Sequence, residues 1–364
     1  MGTEYKVRAY NAAGTMVDEF TDFVGLAYRK VVNGVGIGEV ILPGQHRVIE
    51  RLDHRASLEV WRRNRALGLS WVLDFTGLFL DRQLDYTDQE TFTLRCPEIN
   101  WLLSTRHNLW YAGRAGRTQF TSIAAETILK SVVGYNCGPD ATALGGRIRD
   151  GAIANLSIET DAAGGNTLNV YCAWTNVLRI LQSVAKVAGG DFDLVRTAPA
   201  VWEFRWFPGQ LGTDRTDAVT FSLAFGNMAS PSYRYNRRDE KTYAIVAGQG
   251  QGEIRDVVGQ ASATWSAAND VEVFGDGRDI DYGDSAALQD RAFEKLSETQ
   301  AVEKLDFDVL QIPTSAYGVH YGLGDLVSAR WRDIEAVQKI VAVTVSVSAG
   351  GDNIEDISVE METQ

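Results

Sequence analysis

Apolar and polar positions alternate through most of the first hundred residues, which predicts strands. Residues 39–42 end at Pro43-Gly44, residues 58–61 alternate, residues 69–80 carry Trp71, Leu73 and Phe75 at period two, and residues 91–94 alternate again. Short strands about ten residues apart, separated by polar turns such as 85–89, predict a small antiparallel β-barrel or sandwich over residues 1–103. The alternation stops between Ser104 and Gly116. Arg106, Arg114 and Arg117 collect there with Gly113 and Gly116, as a loop at a boundary would require.

Helical spacing replaces alternation after that loop. Ile123, Thr127, Ile128 and Val132 place an amphipathic helix over 120–133, with Thr118 or Thr121 to cap it and Gly134 to end it. A second helix over 175–188 presents Val177, Leu178, Leu181, Val184, Ala185 and Ala188 on one face and ends at Gly189-Gly190. Residues 191–194 and 201–206 read as paired strands, so 104–217 is expected to be an α+β unit. Strand patterns return at 219–225, 242–246 and 261–266, and Val341, Val343, Val345 and Val347 alternate strictly. Gly350-Gly351-Asp352-Asn353 then turns the chain into Ile357, Val359 and Met361, a closing hairpin. A helix over 285–299, with Leu288, Ala292 and Leu296 behind Ser285, marks 262–312 as an insertion in the C-terminal β unit, 218–364. The expected fold is β-rich α+β: two small antiparallel β-barrel domains, with α/β domains between them and inserted.

Composition narrows the function. At 364 residues the chain has room for two or three cores, and its 45% hydrophobic and 23% charged content is ordinary for folded domains. Apolar stretches such as 340–345 fall short of the roughly 18 residues that span a bilayer, and Met1-Gly2-Thr3-Glu4-Tyr5 lacks the charge and apolarity of an export signal. Stable membrane insertion is not expected. The net charge of −13 has the wrong sign for general nucleic-acid binding. Cys96, Cys137 and Cys172 are odd in number and widely spaced, and His46, His54, His107 and His320 form no HxxxH pair, so neither a disulfide framework nor a metal site is expected.

Catalytic motifs are equally sparse. Gly34-Val35-Gly36-Ile37-Gly38 and Gly248-Gln249-Gly250-Gln251-Gly252 do not lead into helices, so they read as turns or bulges where backbones approach closely rather than as phosphate loops. No nucleophile elbow and no HExxH motif is present, and no cofactor is implied. Residues 270–284 carry a net charge of −5 that includes Asp276, Asp279 and Asp281, and residues 350–364 carry −5 as well. Such runs are either solvated faces or an acidic lining past which nucleic acid slides without sticking. Arg106, Arg114, Arg117, Asp276, Asp279 and Asp281 are therefore the candidate interface or lumen residues.

The order of parts and several turn-and-strand runs carry a resemblance. The stretch from Ala27 to Pro43, with the strands Leu58-Glu59-Val60-Trp61-Arg62 and Phe75-Thr76-Gly77-Leu78-Phe79, resembles the start of siphophage minor tail proteins of the baseplate hub type. Phe221-Ser222-Leu223-Ala224-Phe225-Gly226-Asn227-Met228, the stretch from Thr242 to Gly252, and Tyr321-Gly322-Leu323-Gly324-Asp325-Leu326-Val327 resemble their second half. The resemblance implies a non-enzymatic structural protein of a phage or phage-derived particle such as a gene transfer agent. Three copies, each with two barrels, would form a pseudo-six-fold ring at the distal end of the tail, assembled in the host cytoplasm. Its implied partners are further copies of itself, the tail tube or distal tail ring, the tape-measure protein and tip or fibre proteins, with double-stranded DNA passing through without specific binding. The alternatives are a tail-associated cell-wall hydrolase or peptidase, which needs carboxylates or a Cys and a His converging in a cleft, and a carbohydrate-binding tip module built on Trp101 or Trp110.

Overall fold

A computed structural model describes residues 2–109, 118–144, 146–172, 174–348 and 354–364. The first hundred residues form β1 (Thr3–Tyr10), β2 (Met16–Phe20), β3 (Gly25–Val31), β4 (Ile37–Pro43), β5 (Ser57–Asn64), β6 (Leu69–Leu78), β7 (Asp81–Tyr86) and β8 (Glu90–Pro97). The middle holds α1 (Trp101–Ser104), β9 (Thr118–Ala124), α2 (Ala125–Asn136), β10 (Leu156–Ile158), β11 (Thr167–Cys172), α3 (Val177–Ala188), β12 (Gly190–Ala198) and β13 (Val201–Pro208). The remainder forms β14 (Thr220–Ser222), β15 (Met228–Asn236), β16 (Tyr243–Ala247), β17 (Val257–Ala261), β18 (Glu272–Asp276), α4 (Ser285–Glu298), β19 (Val302–Val309), β20 (Leu326–Trp331), β21 (Ile334–Ser348) and β22 (Ile354–Thr363).

The two expected barrels do not form: among the described residues every sheet is open. One sheet runs β2-β1-β5-β6, and an eight-stranded sheet runs β14-β20-β21-β3-β4-β8-β7 with β22 also on β21. The edge of β3 that a first barrel would have needed for closure is taken by β21 from the far end of the chain, Tyr28 facing Val345 and Leu26 facing Val347. Nor is the pairing wholly antiparallel, since β10–β13, β14–β20 and β16–β18 run parallel. Alternation reveals that a strand has a buried face but not which strand lies beside it. Both chain ends consequently supply one core, in which Val7, Leu58 and Leu94 pack with Val327, Val343 and Val345.

The outer edge of β14 is closed by a side chain. The Ser222 amide donates to Asn227 Oδ1 (2.9 Å), and Asn227 Nδ2 donates to the Thr220 carbonyl (2.9 Å). Asn227 is buried, so Asn227→Ala strands both backbone groups. A stability loss of about 1–3 kcal/mol is expected, read as a lower urea midpoint at unchanged slope.

A second core lies between α2, α3 and the β12–β13 hairpin, centred on Ile128, Leu181, Phe192 and Phe204. The helix expected over 120–133 begins later. Residues 118–124 pair with β11, and α2 runs on through Gly134, where an added Cβ would meet Ile158 at 3.4 Å. A strand partner 47 residues away in sequence overrides the local helical spacing there, as Ser122 donating to Asn169 Oδ1 illustrates. The other helices match their spacing: α3 ends at Gly189 in the left-handed region (φ 67°), and α4 is capped by Asp284, one residue ahead of the expected Ser285. The smallest core packs Ala287, Leu288, Ala292 and Leu296 of α4 on Ala244 and Val246 of the β17-β16-β18 sheet. The closing hairpin is β21–β22; its turn, at Gly350 to Asn353, lies outside the described residues. Among the described residues no helix is long and apolar enough to cross a membrane.

Candidate functional site

Among the described residues, those singled out by the sequence fall in two places. Arg106 lies just after α1, its Nε donating to the Gly151 carbonyl (2.8 Å) and its Nη1 to Thr105 Oγ1 (3.0 Å), so it staples a loop. Arg114, Arg117 and Trp110 lie outside the described residues. Trp101 sits partly buried in α1 against the second core, with the Arg55 guanidinium 5.9 Å from its ring centroid. Asp276, Asp279 and Asp281 come together between β18 and α4. Arg278 grips Asp276 (Nη2–Oδ2 2.6 Å) and, chiefly through that hydrogen bond, brings its carboxyl down to about 2. Arg291 of α4 donates to the Asp276 carbonyl (2.9 Å) and pairs with Asp279 (3.0 Å). The acidic run is thus a loop pinned to its helix by arginines, not a bare field of carboxylates.

Beside it, a cleft of about 440 Å³ separates α3 and β11 from α4, lined by Tyr171, Arg179, Asp279, Asp290, Arg291 and Glu294. Asp290 accepts from the amide and from Nδ2 of Asn169 (both 3.0 Å), and the Tyr171 hydroxyl donates to Asp284, so the cleft wall is itself a joint.

Two larger polar clusters had no sequence signal. Asp74 on β6 takes hydrogen bonds from Tyr28 Oη (2.6 Å), Tyr317 Oη (2.7 Å) and Lys30 Nζ (3.1 Å), with Arg62 Nε 3.9 Å away. Arg62 also donates to Glu355 Oε1 (2.7 Å) and to the Tyr317 carbonyl (3.0 Å). This cluster joins the four-stranded sheet to β3, β22 and the 317 loop. Asp191, fully buried at the start of β12, accepts from Lys339 Nζ (2.8 Å), Asn33 Nδ2 (2.8 Å) and the Leu211 amide (2.7 Å). Asn33 holds the left-handed region (φ 55°) at the β3–β4 turn and accepts from the Phe192 amide (2.8 Å). Asp191 therefore fastens the N-terminal hairpin, the C-terminal β21 and the α+β unit at one point.

The first glycine cluster and the cysteines are packing positions. A Cβ on Gly36 would lie 2.0 Å from the Arg29 carbonyl oxygen, and one on Gly38 would lie 2.6 Å from the Phe75 ring, so Gly36 serves close backbone approach and Gly38 makes room for a ring. All three cysteines are buried and unpaired, and burial pushes the Cys137 and Cys172 thiols up to about 12. Among the described residues no three of His, Cys, Asp and Glu converge as a metal site.

Two packed β layers tied to an α+β unit and carrying a helix-backed three-stranded sheet make up the fold, and solved tail proteins share it. The chain superposes on the 43 kDa tail protein of prophage MuSo2 from Shewanella oneidensis with a TM-score of 0.61 at 12% identity, over 98% of each chain. On the tail protein from Neisseria meningitidis MC58 the TM-score is 0.56 at 12% identity, over 100% of this chain and 97% of that one. On prophage tail protein gp18 from Listeria monocytogenes EGD-e it is 0.55 at 10% identity, over 99% and 94%. No curated protein matches the sequence. The sequence profile of the Siphovirus ReqiPepy6 Gp37-like protein matches residues 6–357, and the chain belongs to that family. In fold it is similar to these phage tail proteins.

Proposed function

We propose that this chain is a non-enzymatic baseplate hub at the distal end of a siphovirus tail, joining the tail tube or distal tail ring to tip or fibre proteins. The observation that carries the reading is the tail-protein fold over 98% of both chains in the first superposition, in a chain of a siphovirus family. In this reading three copies form a pseudo-six-fold ring below the tape-measure protein, and double-stranded DNA passes through it. The β3–β21 junction supports that geometry, because it sets the β-rich parts from 1–103 and 218–364 side by side in one chain, so that three chains supply six β-rich positions. The division at 103/104 and 217/218, with an insertion near 262–312, belongs to the same proposal. So does an interface or lumen role for Arg106, Arg114, Arg117, Asp276, Asp279 and Asp281. A net charge of −13 suits a conduit that does not hold DNA.

Light scattering of the purified chain across a concentration series, with negative-stain imaging of the assembly, tests this reading. The expected particle is a ring of about 120 kDa, three times the 40.0 kDa chain, with a central hole. Antibody labelling of intact particles should mark the distal tail tip. A label confined to the capsid, or a chain that remains a 40.0 kDa monomer throughout, overturns it.

A further inference from the structure

Among the described residues, β7 and the 232–235 stretch of β15 are exposed on both faces and pair along one edge only. Every residue of β7 is exposed, with Leu84 at 55% and Tyr86 at 75%. It pairs with β8 on one side and, among the described residues, with nothing on the other. In β15, residues Ser232, Tyr233, Arg234 and Tyr235 are exposed, and β19 is its single partner among the described residues. Free edges of this kind invite a further strand, and the opposite end of the large sheet shows what a closed edge looks like, with Asn227 filling the outer hydrogen-bonding positions of β14.

The two edges match in the phase of their side chains. On β7, Leu84 and Tyr86 share a face with Arg82 and lie across from Phe92 and Glu90, while Asp81, Gln83 and Asp85 take the other face. On β15, Tyr233 faces the buried Leu305 and Tyr235 faces Glu303, while Ser232 and Arg234 take the other face. If Leu84 and Tyr86 are set opposite Tyr233 and Tyr235, Asp85 falls opposite Arg234. That holds whether the two strands run parallel or antiparallel. Among the described residues Arg234 has no acidic partner, and Arg237 and Arg238 follow it, whereas Asp85, Asp88 and Glu90 cluster at the β7–β8 turn. Slipping by one residue sets a tyrosine of β15 against Asp85.

We infer that β7 of one copy pairs edge to edge with β15 of the next, Leu84 and Tyr86 continuing the face of Tyr233 and Tyr235 and Asp85 lying against Arg234. The inference rests on the ring reading above and assigns its contact between copies. Because the two edges differ, the contact is head to tail, the kind that closes into a ring when the rotation between copies closes. Main-chain bonds supply the adhesion and the alternating side chains supply the register.

The test uses two separate full-length variants, Asp85→Cys and Arg234→Cys, mixed and mildly oxidised. The native Cys96, Cys137 and Cys172 are buried, so the introduced thiols are the reactive ones. The expected result is a covalent pair of about 80 kDa, twice the 40.0 kDa chain, at least about tenfold more abundant in the mixture than in either variant alone. Leu84→Cys with Arg234→Cys, out of phase on the same strands, should give about tenfold less. In a second arm, Asp85→Arg weakens self-association by about tenfold and Arg234→Asp in the same chain restores it. An assembled ring whose in-phase cysteines do not cross-link overturns the β7–β15 contact and leaves the ring reading standing. A chain that neither assembles nor cross-links overturns both.

Discussion

Replacing Asp74 with alanine should lower the stability of the chain by about 3–5 kcal/mol, the range for removing one partner from a buried ion pair. Its side chain is 9% exposed, and those of its cationic neighbours Lys30 and Arg62 are 20% and 4% exposed. Burial by itself disfavours the Asp74 carboxylate. Lys30, Arg62 and the hydrogen bonds from Tyr28 and Tyr317 outweigh that and hold the carboxyl below its ordinary value. Without Asp74 a sunken ammonium loses its counter-charge and two buried phenols lose their acceptor, while Arg62 keeps Glu355 at 2.7 Å. Asp74→Asn keeps an acceptor but not the charge, so its loss should be intermediate. A carboxylate with a lowered native value stabilises above about pH 4 and stops doing so as pH falls through that native value, so the gap between wild type and Asp74→Ala should narrow in acid. Urea titration followed by tryptophan fluorescence measures this. A loss below about 1 kcal/mol at neutral pH would mean that the cluster is solvated and contributes no more than a surface pair.

What could be read in the chain and what could not divide along one physical line. Elements whose signal is local were legible: α3 with its glycine stop, α4, the β12–β13 hairpin and the β21–β22 pair all lie where spacing places them. Tertiary pairing was not, because β3 and β21 are about 315 residues apart and nothing in either strand names the other. The barrels failed for that reason: each end of the chain was given a closed sheet of its own, and the structure instead joins the two ends into one open sheet. Asp74 shows the same limit at the scale of a single residue. Between Leu73 and Phe75 it reads as an outward-facing polar position on a half-buried strand, yet its partners Tyr28, Lys30 and Tyr317 come from 46, 44 and 243 positions away. The tail-family resemblance was legible because it is carried by turns and strand edges, such as Gly36 against the Arg29 carbonyl, where a close approach dictates the residue. The cleft between α3 and α4 left no trace, since neither helix encodes the other's position.

Glu98→Gln should flatten, and at neutral pH raise, the stability profile, by a mechanism opposite to that at Asp74. Glu98, just past β8, and Asp193 on β12 are both desolvated where the N-terminal strands meet the α+β unit. Burial first and the Asp193 charge second push the Glu98 carboxyl up to about 8, against Lys30 and the Gly36 and Val31 amides, and burial pushes Asp193 up to about 6. Asn100 ties the pair to the backbone, its Nδ2 donating to Asp193 Oδ1 (2.9 Å) and its Oδ1 accepting from the Leu194 amide (3.0 Å). The folded chain keeps a proton here that the unfolded chain releases near 4.5, so this pair's contribution is full below that value and is lost as pH rises toward 8. The slope reaches at most about 1.4 kcal/mol per pH unit for one proton. Glutamine is uncharged at every pH and retains an oxygen for the Gly36 amide, which Glu98 Oε2 holds at 3.0 Å. Urea midpoints at half-unit steps from pH 5 to 8 should therefore fall more steeply for wild type than for the variant, the two curves separating most at the alkaline end. Parallel curves would show that the pair ionises freely in the folded chain and that this junction between the β layers and the α+β unit is insensitive to pH.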